Sequence, residues 1–256
     1  KSKKKYYFDD KILKLKKYRG KAFIKILGIP IKVSKKYYSS VYGPTLKNKT
    51  GFFSVRTGSL FKVRALEQWW KMNKAKSFDE FYSILEMNEI PGYNIGYADK
   101  DDNIFYISNG LIPIRNDKYK WTGVLPGNTS ETLWTEYYDT KKLPQVLNPK
   151  SGYIYNANHS PFKSTSLDEN PNPKDFSTNM GFETFDNNRS TRIFELVESN
   201  DAIDYDTFKM IKYDNKFPTP FNYNFMDINN IMEMNPKNYP EISDLLEKIQ
   251  KWDRVT

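Results

Sequence analysis

The segment YNIGYADKDDNIFYIS (residues 93–108) decides the fold class of this chain. Two runs rich in Tyr and Ile, Tyr93 to Ala98 and Asn103 to Ser108, flank the polar tetrapeptide Asp99-Lys100-Asp101-Asp102. Aromatic and β-branched residues favour strands, and a short polar tip between two such runs is typical of a β-hairpin. The segment therefore predicts a hairpin within an antiparallel sheet.

Strand signals continue toward the amino terminus. Lys21 to Val33 (KAFIKILGIPIKV) alternates only in part, because Gly28 and Pro30 interrupt it. An edge strand or a bend fits this pattern better than a central strand. Tyr37 to Tyr42 and Gly51 to Val55 are further short strand candidates.

Helical spacing appears between the two strand regions and again near the carboxyl terminus. Leu66, Trp69 and Trp70 lie at helical spacing, and Ser77 followed by Glu80 is a capping box that opens a second helix. That helix is predicted to run through Met87. The later predicted helices are Arg189 to Ser199, Tyr205 to Tyr213 (led by Asp204) and Ile242 to Trp252.

Strands come first and helices later, with no regular βαβ alternation, which predicts an α+β fold of antiparallel sheets with flanking helices. We interpret the chain as a single incomplete domain. Its predicted segments are 1–65 (strand-rich), 66–90 (helical), 91–160 (strands and loops) and 187–256 (helical).

The net charge of +9 is concentrated at one end of the chain. Residues 1–40 contain 14 Lys or Arg against Asp9 and Asp10, a local charge of +12 that leaves −3 for the remainder. Such a face could meet phosphates or anionic headgroups. No stacking motif or Arg-rich reading element accompanies it, so we favour a solvated, Lys-rich strand face and expect no nucleic-acid partner.

Several kinds of site are excluded by composition. The chain has no cysteine, which rules out disulfides, thiolate metal sites and cysteine nucleophiles. Its single histidine, His159, could form a triad with Ser160 and an Asp such as Asp168, but triads assemble in space and not from adjacent residues. We therefore expect a surface or hydrogen-bonded histidine. No apolar run approaches the ~18 residues that a membrane span needs.

Two asparagines end the predicted strand from Ser151 to Asn158. Asn156 and Asn158 are two residues apart, so in a strand they share a face. An asparagine amide held there is a suitable donor to a developing oxyanion. The alternative is that both side chains cap a turn, which Asn often does.

Three blocks of sequence resemble the penicillin amidase family. Residues 93–115 (YNIGYADKDDNIFYISNGLIPIR) are similar to its tyrosine-alanine-aspartate hairpin and the following glycine-x-x-proline. Residues 143–162 (LPQVLNPKSGYIYNANHSPF) resemble its asparagine-proline-x-serine-glycine-tyrosine strand, and residues 187–197 (NNRSTRIFELV) its arginine-led helix. The segments LPGNTSETLW and NANHSPF are closer to the acyl-homoserine-lactone and aculeacin acylase branch.

The resemblance implies a layered αββα architecture of the N-terminal-nucleophile hydrolases. In that family a precursor cleaves itself, and the new amino-terminal Ser of the β chain attacks an amide carbonyl with its own amino group as base. The resemblance assigns the oxyanion donor to Asn158 and the supporting arginine to Arg189. Arg192 is the rival arginine and is expected on the outer face of the same helix.

The departures from the family define what this chain lacks. Its first residues, KSKKKYYFDD, resemble the middle of the family's β chain, and no matching segment follows Ser2, so Ser2 is not the nucleophile. We therefore expect a carboxy-terminal part of a β chain that is inactive alone. Its partners would be the acylase α chain and the amino-terminal part of the β chain.

The expected reaction is hydrolysis of an N-acylated small molecule, such as an acyl-homoserine lactone or a β-lactam side chain. The chemistry requires no cofactor. The resemblance leaves structural calcium open, although no ligand can be assigned in the altered stretch Ser160 to Asn188, and it implies a periplasmic or secreted protein. The alternative is a non-catalytic, β-rich domain that binds a surface or a carbohydrate through its Tyr and Trp side chains.

Overall fold

A computed structural model of the chain describes residues 4–60, 62–221 and 227–255. Ser2 lies outside the described residues. The chain forms two compact units. Unit 1 comprises the described parts of Lys1–Tyr93, Ser108–Leu143 and Phe176–Gly181, and unit 2 those of Asn94–Ile107, Pro144–Asp175 and Phe182–Thr256. The assignment of one incomplete domain stays a prediction.

Unit 1 begins with two antiparallel sheets. The first pairs β1 with β2, and the second has the strand order β3-β4-β5-β6. Their bounds are β1 (Lys5–Phe8), β2 (Lys11–Lys14), β3 (Lys16–Ile26), β4 (Ile29–Ser40), β5 (Gly43–Lys47) and β6 (Phe52–Ser54).

The bend predicted within Lys21 to Val33 is present, and it is a complete reversal of the chain. The chain reverses at Leu27 and Gly28, and β3 and β4 form a long hairpin in which Ile26 pairs with Ile29. Both loop residues have positive φ, 49° and 83°, as a two-residue loop of type I′ requires. The sequence predicted a bend and not a two-residue hairpin loop, because Leu stands at the first loop position, where Asn or Asp normally signals such a loop.

The two helices of unit 1 are α1 (Ala65–Met72) and α2 (Phe78–Leu85). Ser77 caps α2 as predicted, since its side chain accepts a hydrogen bond from the Glu80 N–H. The helix ends at Leu85, two residues before the predicted end.

Gln68 joins the two helices from a fully buried position. Its Nε2 donates to the carbonyl oxygens of Ile84 and Leu85 at 3.1 and 3.3 Å. Its Oε1 accepts from the backbone N–H groups of Glu89 and Ile90 at 2.7 and 3.0 Å. One buried side chain thereby pairs with four backbone groups at the end of α2 and in the segment that follows it.

The third sheet contains the predicted hairpin. Its strands, in the order β7-β8-β9, are β7 (Tyr93–Ala98), β8 (Ile104–Asn109) and β9 (Gln145–Leu147). Phe105, Tyr106 and Ile107 of β8 are almost completely buried. The hairpin prediction is confirmed, and β8 is the most buried strand among the described residues.

The helices of unit 2 lie in the carboxy-terminal part of the chain. Their bounds are α3 (Asn188–Glu198), α4 (Tyr205–Tyr213), α5 (Ile228–Glu233) and α6 (Ser243–Gln250). Three of them were predicted within two residues of their ends, and Asp204 caps α4. The short α5 was not predicted. Helices and antiparallel sheets together confirm the α+β fold class. No helix in the described ranges is long and apolar enough to cross a membrane.

The predicted strand from Ser151 to Asn158 does not form. The Tyr155 N–H donates to the Ser164 carbonyl oxygen at 2.8 Å, and the Thr165 hydroxyl donates to the Tyr153 carbonyl oxygen at 2.8 Å. A side-chain hydroxyl therefore takes the place of a second backbone partner. This pairing has no regular ladder, which is why a strand-like sequence remains irregular.

Candidate active site

Asn158 lies in a turn and not at the end of a strand. Its φ is +57°, in the left-handed region that Asn tolerates better than most residues. Its backbone N–H donates to Asn156 Oδ1 at 2.9 Å. The two asparagines therefore do not share a strand face as expected. Asn156 caps the turn, and Asn158 is the residue that the turn displays.

Arg189, at the start of α3, holds this turn. Its Nη2 donates to Asn158 Oδ1 at 3.1 Å and to the Ala157 carbonyl oxygen at 2.8 Å. Asn187 adds a second amide, since its Nδ2 donates to the carbonyl oxygens of Ala157 and Asn158 at 2.9 and 3.3 Å. The two residues that the family resemblance selected, Asn158 and Arg189, are thus in direct contact.

The start of α3 is fixed by a reciprocal capping box. Asn187 Oδ1 accepts from the Ser190 N–H at 3.0 Å, and Ser190 Oγ accepts from the Asn187 N–H at 2.9 Å. The Ser190 hydroxyl also donates to Asp186 Oδ1 at 3.1 Å, and the residue is fully buried. This cap satisfies the backbone N–H groups of Asn187 and Ser190. It therefore fixes the start of α3, from which the Arg189 side chain extends.

The contact with Arg189 fixes which end of the Asn158 amide is available. A guanidinium has donors only, so the amide must turn its oxygen toward Arg189. The amide nitrogen, Nδ2, is left on the other side of the group. Asn158 is exposed, and no residue in the described part of the chain accepts a hydrogen bond from Nδ2. The arrangement presents the oriented Nδ2 amide group of Asn158, with its N–H donors, to the solvent.

His159 stabilises the turn that contains Asn158, and both of its ring nitrogens are used in hydrogen bonds, so it is not a catalytic base here. Its Nδ1 accepts from the Ala157 N–H at 3.1 Å, and Nε2 donates to the Lys163 carbonyl oxygen at 2.7 Å. The ring stacks on Tyr155, with centroids 4.9 Å apart. Burial lowers the pKa of His159, so the neutral ring persists. The expectation of a hydrogen-bonded histidine is confirmed.

Tyr106 is a site neighbour that the sequence did not reveal. Its hydroxyl donates to Asn94 Oδ1 at 2.9 Å and accepts from Asn156 Nδ2 at 3.5 Å. Burial raises its pKa far above the usual value, which keeps the phenol protonated. Asn156 is therefore held from both ends, by Tyr106 and by the Asn158 N–H.

Arg192 is not on the outer face of α3, which corrects the sequence-based expectation. Its Nε and Nη2 form a two-pronged pair with the Asp214 carboxylate, both distances being 2.9 Å, and its Nη1 lies 3.3 Å from Glu195. The guanidinium lowers the pKa of Asp214. Arg192 is half-buried and serves the contact between α3 and the end of α4.

The described residues do not form a calcium site by themselves. No group of three Asp, Glu or His side chains in the described ranges lies close enough to hold a metal ion. In the stretch Ser160 to Asn188, Asp186 is already paired with Lys163 and Ser190. Structural calcium stays a prediction.

The family model of penicillin amidase matches residues 1–256, the whole chain. The chain belongs to the penicillin amidase family. The expectation of family membership drawn from the three sequence blocks is thereby confirmed.

Two curated relatives agree with this membership of the penicillin amidase family. Penicillin G acylase of Escherichia coli is 30% identical over 130 residues, which are 49% of this chain and 15% of that protein. The acyl-homoserine lactone acylase PvdQ of Pseudomonas fluorescens is 25% identical over 159 residues, 52% of this chain and 20% of the relative. The chain therefore spans much less than two thirds of these relatives.

A solved structure shows the same fold. The thermostable penicillin G acylase from Alcaligenes faecalis superimposes with a TM-score of 0.68, covering 98% of this chain and 44% of that chain. The sequence identity is 17%, so this likeness concerns the fold alone. It confirms that the helices and antiparallel sheets belong to a penicillin acylase fold.

Proposed function

We propose that this chain supplies the oxyanion-stabilising part of an N-acyl amide hydrolase. Asn158 Nδ2 would donate to the oxygen of the tetrahedral intermediate, and Arg189 would position the Asn158 amide. The attacking Ser, at the amino terminus of the family's β chain, would lie outside this chain, so we expect the chain to be inactive alone. The observation that carries the proposal is the 3.1 Å contact between Arg189 Nη2 and Asn158 Oδ1.

This contact supports an oxyanion role because it sets the orientation of the donor before the reaction. A donor that is already aimed needs no reorganisation as negative charge develops. The nearby guanidinium also polarises the amide and strengthens the N–H as a donor. Removal of one such donor in related chemistry costs about 3 kcal/mol of transition-state stabilisation.

The substrate is proposed as a chemical class, and the partners and the location are proposed from the family. The relatives are named as acylases of penicillin G and of acyl-homoserine lactones. We therefore propose a linear amide between a carboxylic acid and the amine of a small molecule, with the remaining acylase segments as partners. A periplasmic or secreted location, and activation of a precursor by self-cleavage, are proposed on the same family basis.

The test of the oxyanion role compares Asn158 variants in the intact acylase. Asn158→Gly keeps the left-handed turn and removes only the amide, and Asn158→Ala removes the amide at some cost in backbone strain. Both should lower the acylation rate with an activated ester by ~100-fold or more, with little change in substrate binding. Asn158→Asp should be at least as damaging, because an anion would face the developing anion.

Asn156→Ala is the matched control for that test. It removes the cap of the same turn, so it should reduce stability more than the acylation rate. If Asn156→Ala abolishes acylation while Asn158→Gly acylates at the parental rate, the donor has been assigned to the wrong asparagine. If neither variant changes the rate, the proposal fails.

A second test separates the two arginines of α3. Arg189→Lys should lower turnover in the intact acylase, because a Lys point charge cannot contact Asn158 Oδ1 and the Ala157 carbonyl oxygen in one fixed geometry. Arg192→Lys should reduce stability, since it breaks the two-pronged pair with Asp214, and should leave the rate per folded enzyme near the parental value. Turnover corrected for the folded fraction checks both, and the reverse ranking would contradict the assignment.

A further inference from the structure

Unit 1 contains a cavity of about 680 Å³ with aromatic walls. Its apolar lining includes Phe52, Phe53, Val55, Trp121, Leu125 and Trp134. This volume lies in the range of small-molecule sites, which are mostly apolar with a few polar groups that fix the ligand's orientation. These lining residues suit an aromatic ring or another planar apolar group of a ligand.

The charged groups of this cavity all have the same sign. Lys5, Arg56 and Arg115 line it, and no Asp or Glu stands among its described lining residues. Neither arginine forms an ion pair within the described part of the chain. A low-dielectric cavity that concentrates positive charge attracts an anion.

Arg115 lines this cavity, and its guanidinium makes few hydrogen bonds within the described residues. One guanidinium nitrogen, Nη1, donates to the Asn179 carbonyl oxygen, and the group lies 5.7 Å from the centroid of the Trp121 ring. Its Nε is buried and makes no hydrogen bond within the described residues. With one hydrogen bond to a neutral carbonyl and no ion pair in the described part of the chain, the guanidinium retains charge and donors for a bound anion.

Arg56 is fixed in place by neutral groups. Its Nε and Nη2 donate to the Trp134 carbonyl oxygen at 3.2 and 2.9 Å, and its Nη1 donates to the Tyr42 carbonyl oxygen at 3.4 Å. The guanidinium also lies over the Trp134 ring, 4.5 Å from its centroid. These contacts orient Arg56 rigidly but leave its charge uncompensated.

We propose that this cavity binds an organic carboxylate with an aromatic body. The carboxylate would be recognised by Arg115 and by the field of Arg56, and the ring would pack against the aromatic walls, which include Trp121 and Trp134. Arginine is suited to this role because its fixed fork of donors matches a carboxylate. Inorganic anions would lose the contribution of the aromatic walls.

This inference does not depend on the proposed hydrolase function. Its residues belong to unit 1, whereas Asn158 and Arg189 belong to unit 2. Ligand binding is measured without turnover, so the failure of one proposal leaves the other standing.

The experiment compares two ligands of the same shape on the full chain. Isothermal calorimetry at low salt would titrate 3-phenylpropanoate and the neutral 3-phenylpropanamide, with tryptophan fluorescence as a second signal. The acid should bind roughly tenfold or more tightly than the amide, because a charge-assisted hydrogen bond exceeds a neutral one. Equal affinities, or no binding of the acid, would overturn the proposal, as would equally tight binding of inorganic phosphate.

Variants then locate the binding. Arg115→Met should weaken the acid roughly tenfold or more while leaving the amide nearly unchanged. Arg64→Met is the control, because Arg64 is exposed and paired with Glu67 outside the cavity. Trp121→Leu should weaken both ligands and serves as the second variant if Arg115→Met fails to fold. Undiminished binding in folded Arg115→Met or Trp121→Leu protein would overturn the assignment to this cavity.

Discussion

The two long hairpins of this chain, β3–β4 and β7–β8, have similar residue types and opposite surroundings. In β8, Phe105, Tyr106 and Ile107 are at most 1% exposed, and β9 pairs along its other edge. In β3 and β4 the side chains from Lys16 to Tyr37 are almost all exposed, and Leu27 at the tip is 97% exposed. Apolar β-branched and aromatic residues therefore specify a strand without specifying its burial.

The β3–β4 hairpin nevertheless has two different faces. Its cross-strand pairs Ala22–Val33, Ile24–Ile31 and Ile26–Ile29 lie on one face, because directly paired residues point the same way. Most of the hairpin's cations lie on the other face, whereas Lys16 and Lys35 lie on the apolar one. The cations of the other face are Lys17, Arg19, Lys21, Lys25, Lys32 and Lys36. The cluster of positive charge noticed in the sequence is thus a solvated strand face, as predicted. The comparison teaches that alternation is a local property, whereas burial needs a covering layer.

The largest effect should come from truncating the buried hairpin. Phe105→Ala should lower the free energy of unfolding by about 3–5 kcal/mol, because it leaves a cavity around a fully buried ring position. Ile24→Ala, at an exposed cross-strand pair of the other hairpin, should cost less than about 1 kcal/mol. Denaturant unfolding followed by circular dichroism checks both. Similar costs for the two variants would show that the Ile24 face is covered in solution.

An intermediate effect on stability is expected at low pH, and it should arise from Asp99 at the tip of the β7–β8 hairpin. Burial raises the pKa of Asp99, but hydrogen bonds from Asn103, from the Tyr97 hydroxyl and from the Asp101 N–H outweigh it and lower the pKa to about 2. A depressed folded-state pKa contributes stability that is present above the ordinary value of 3.8 and is lost as the pH falls through about 2. The wild-type chain should therefore lose stability between about pH 4 and pH 2.

Asp99→Asn should flatten this pH dependence, because the titrating group is gone. Asp102→Asn, at the same tip but outside the Asp99 network, is the control and should keep the parental slope. Thermal unfolding across this pH range gives the comparison. An equal flattening by both substitutions would contradict the assignment to Asp99. The β3–β4 tip has no titratable residue, so its substitution should leave the slope unchanged.

The smallest effect should be a gain in stability from a substitution at the tip of the β3–β4 hairpin. Leu27 has a φ of 49° and an exposed side chain, so it carries backbone strain without any packing in return. Leu27→Asn should stabilise the hairpin by up to about 1 kcal/mol, because Asn-Gly is the preferred pair of a type I′ loop. Hydrogen exchange of the hairpin amides measures the change. Leu27→Ala is the control, and an equal gain from Ala would show that relief of strain is not the cause.

Local patterns predicted much of the secondary structure, for identifiable reasons. The tip Asp99 to Asp102, the cap at Ser77 and the start of α4 at Asp204 are each set by residues within a few positions of one another. At Leu27 the sequence predicted a bend but not the tight two-residue turn, because Leu is untypical of the first turn position. The strand over Ser151 to Asn158 was wrong because its partner offers no regular ladder.

In the candidate site, too, the sequence predicted the residues but not the contacts between them. A resemblance in sequence selected Asn158 and Arg189, but it gave no contact between residues that are 31 positions apart. Only the folded chain brings Arg189 to the Asn158 amide and assigns the turn cap to Asn156. Sequence spacing alone also left Arg192 on the wrong face, since its partner Asp214 becomes a neighbour only when α3 and α4 pack.

The sequence by itself determined the β7–β8 hairpin, the main helices, the absence of cysteine chemistry, the location of the positive charge and the resemblance to the family. These properties depend on composition and on residues near one another along the chain. The tertiary structure decided which hairpin is buried, which nitrogen of Asn158 is free to donate and which arginines of unit 1 line an aromatic cavity without a counter-ion. Those properties depend on contacts between distant residues, because burial and hydrogen-bond orientation are set by whatever the fold places on the other side.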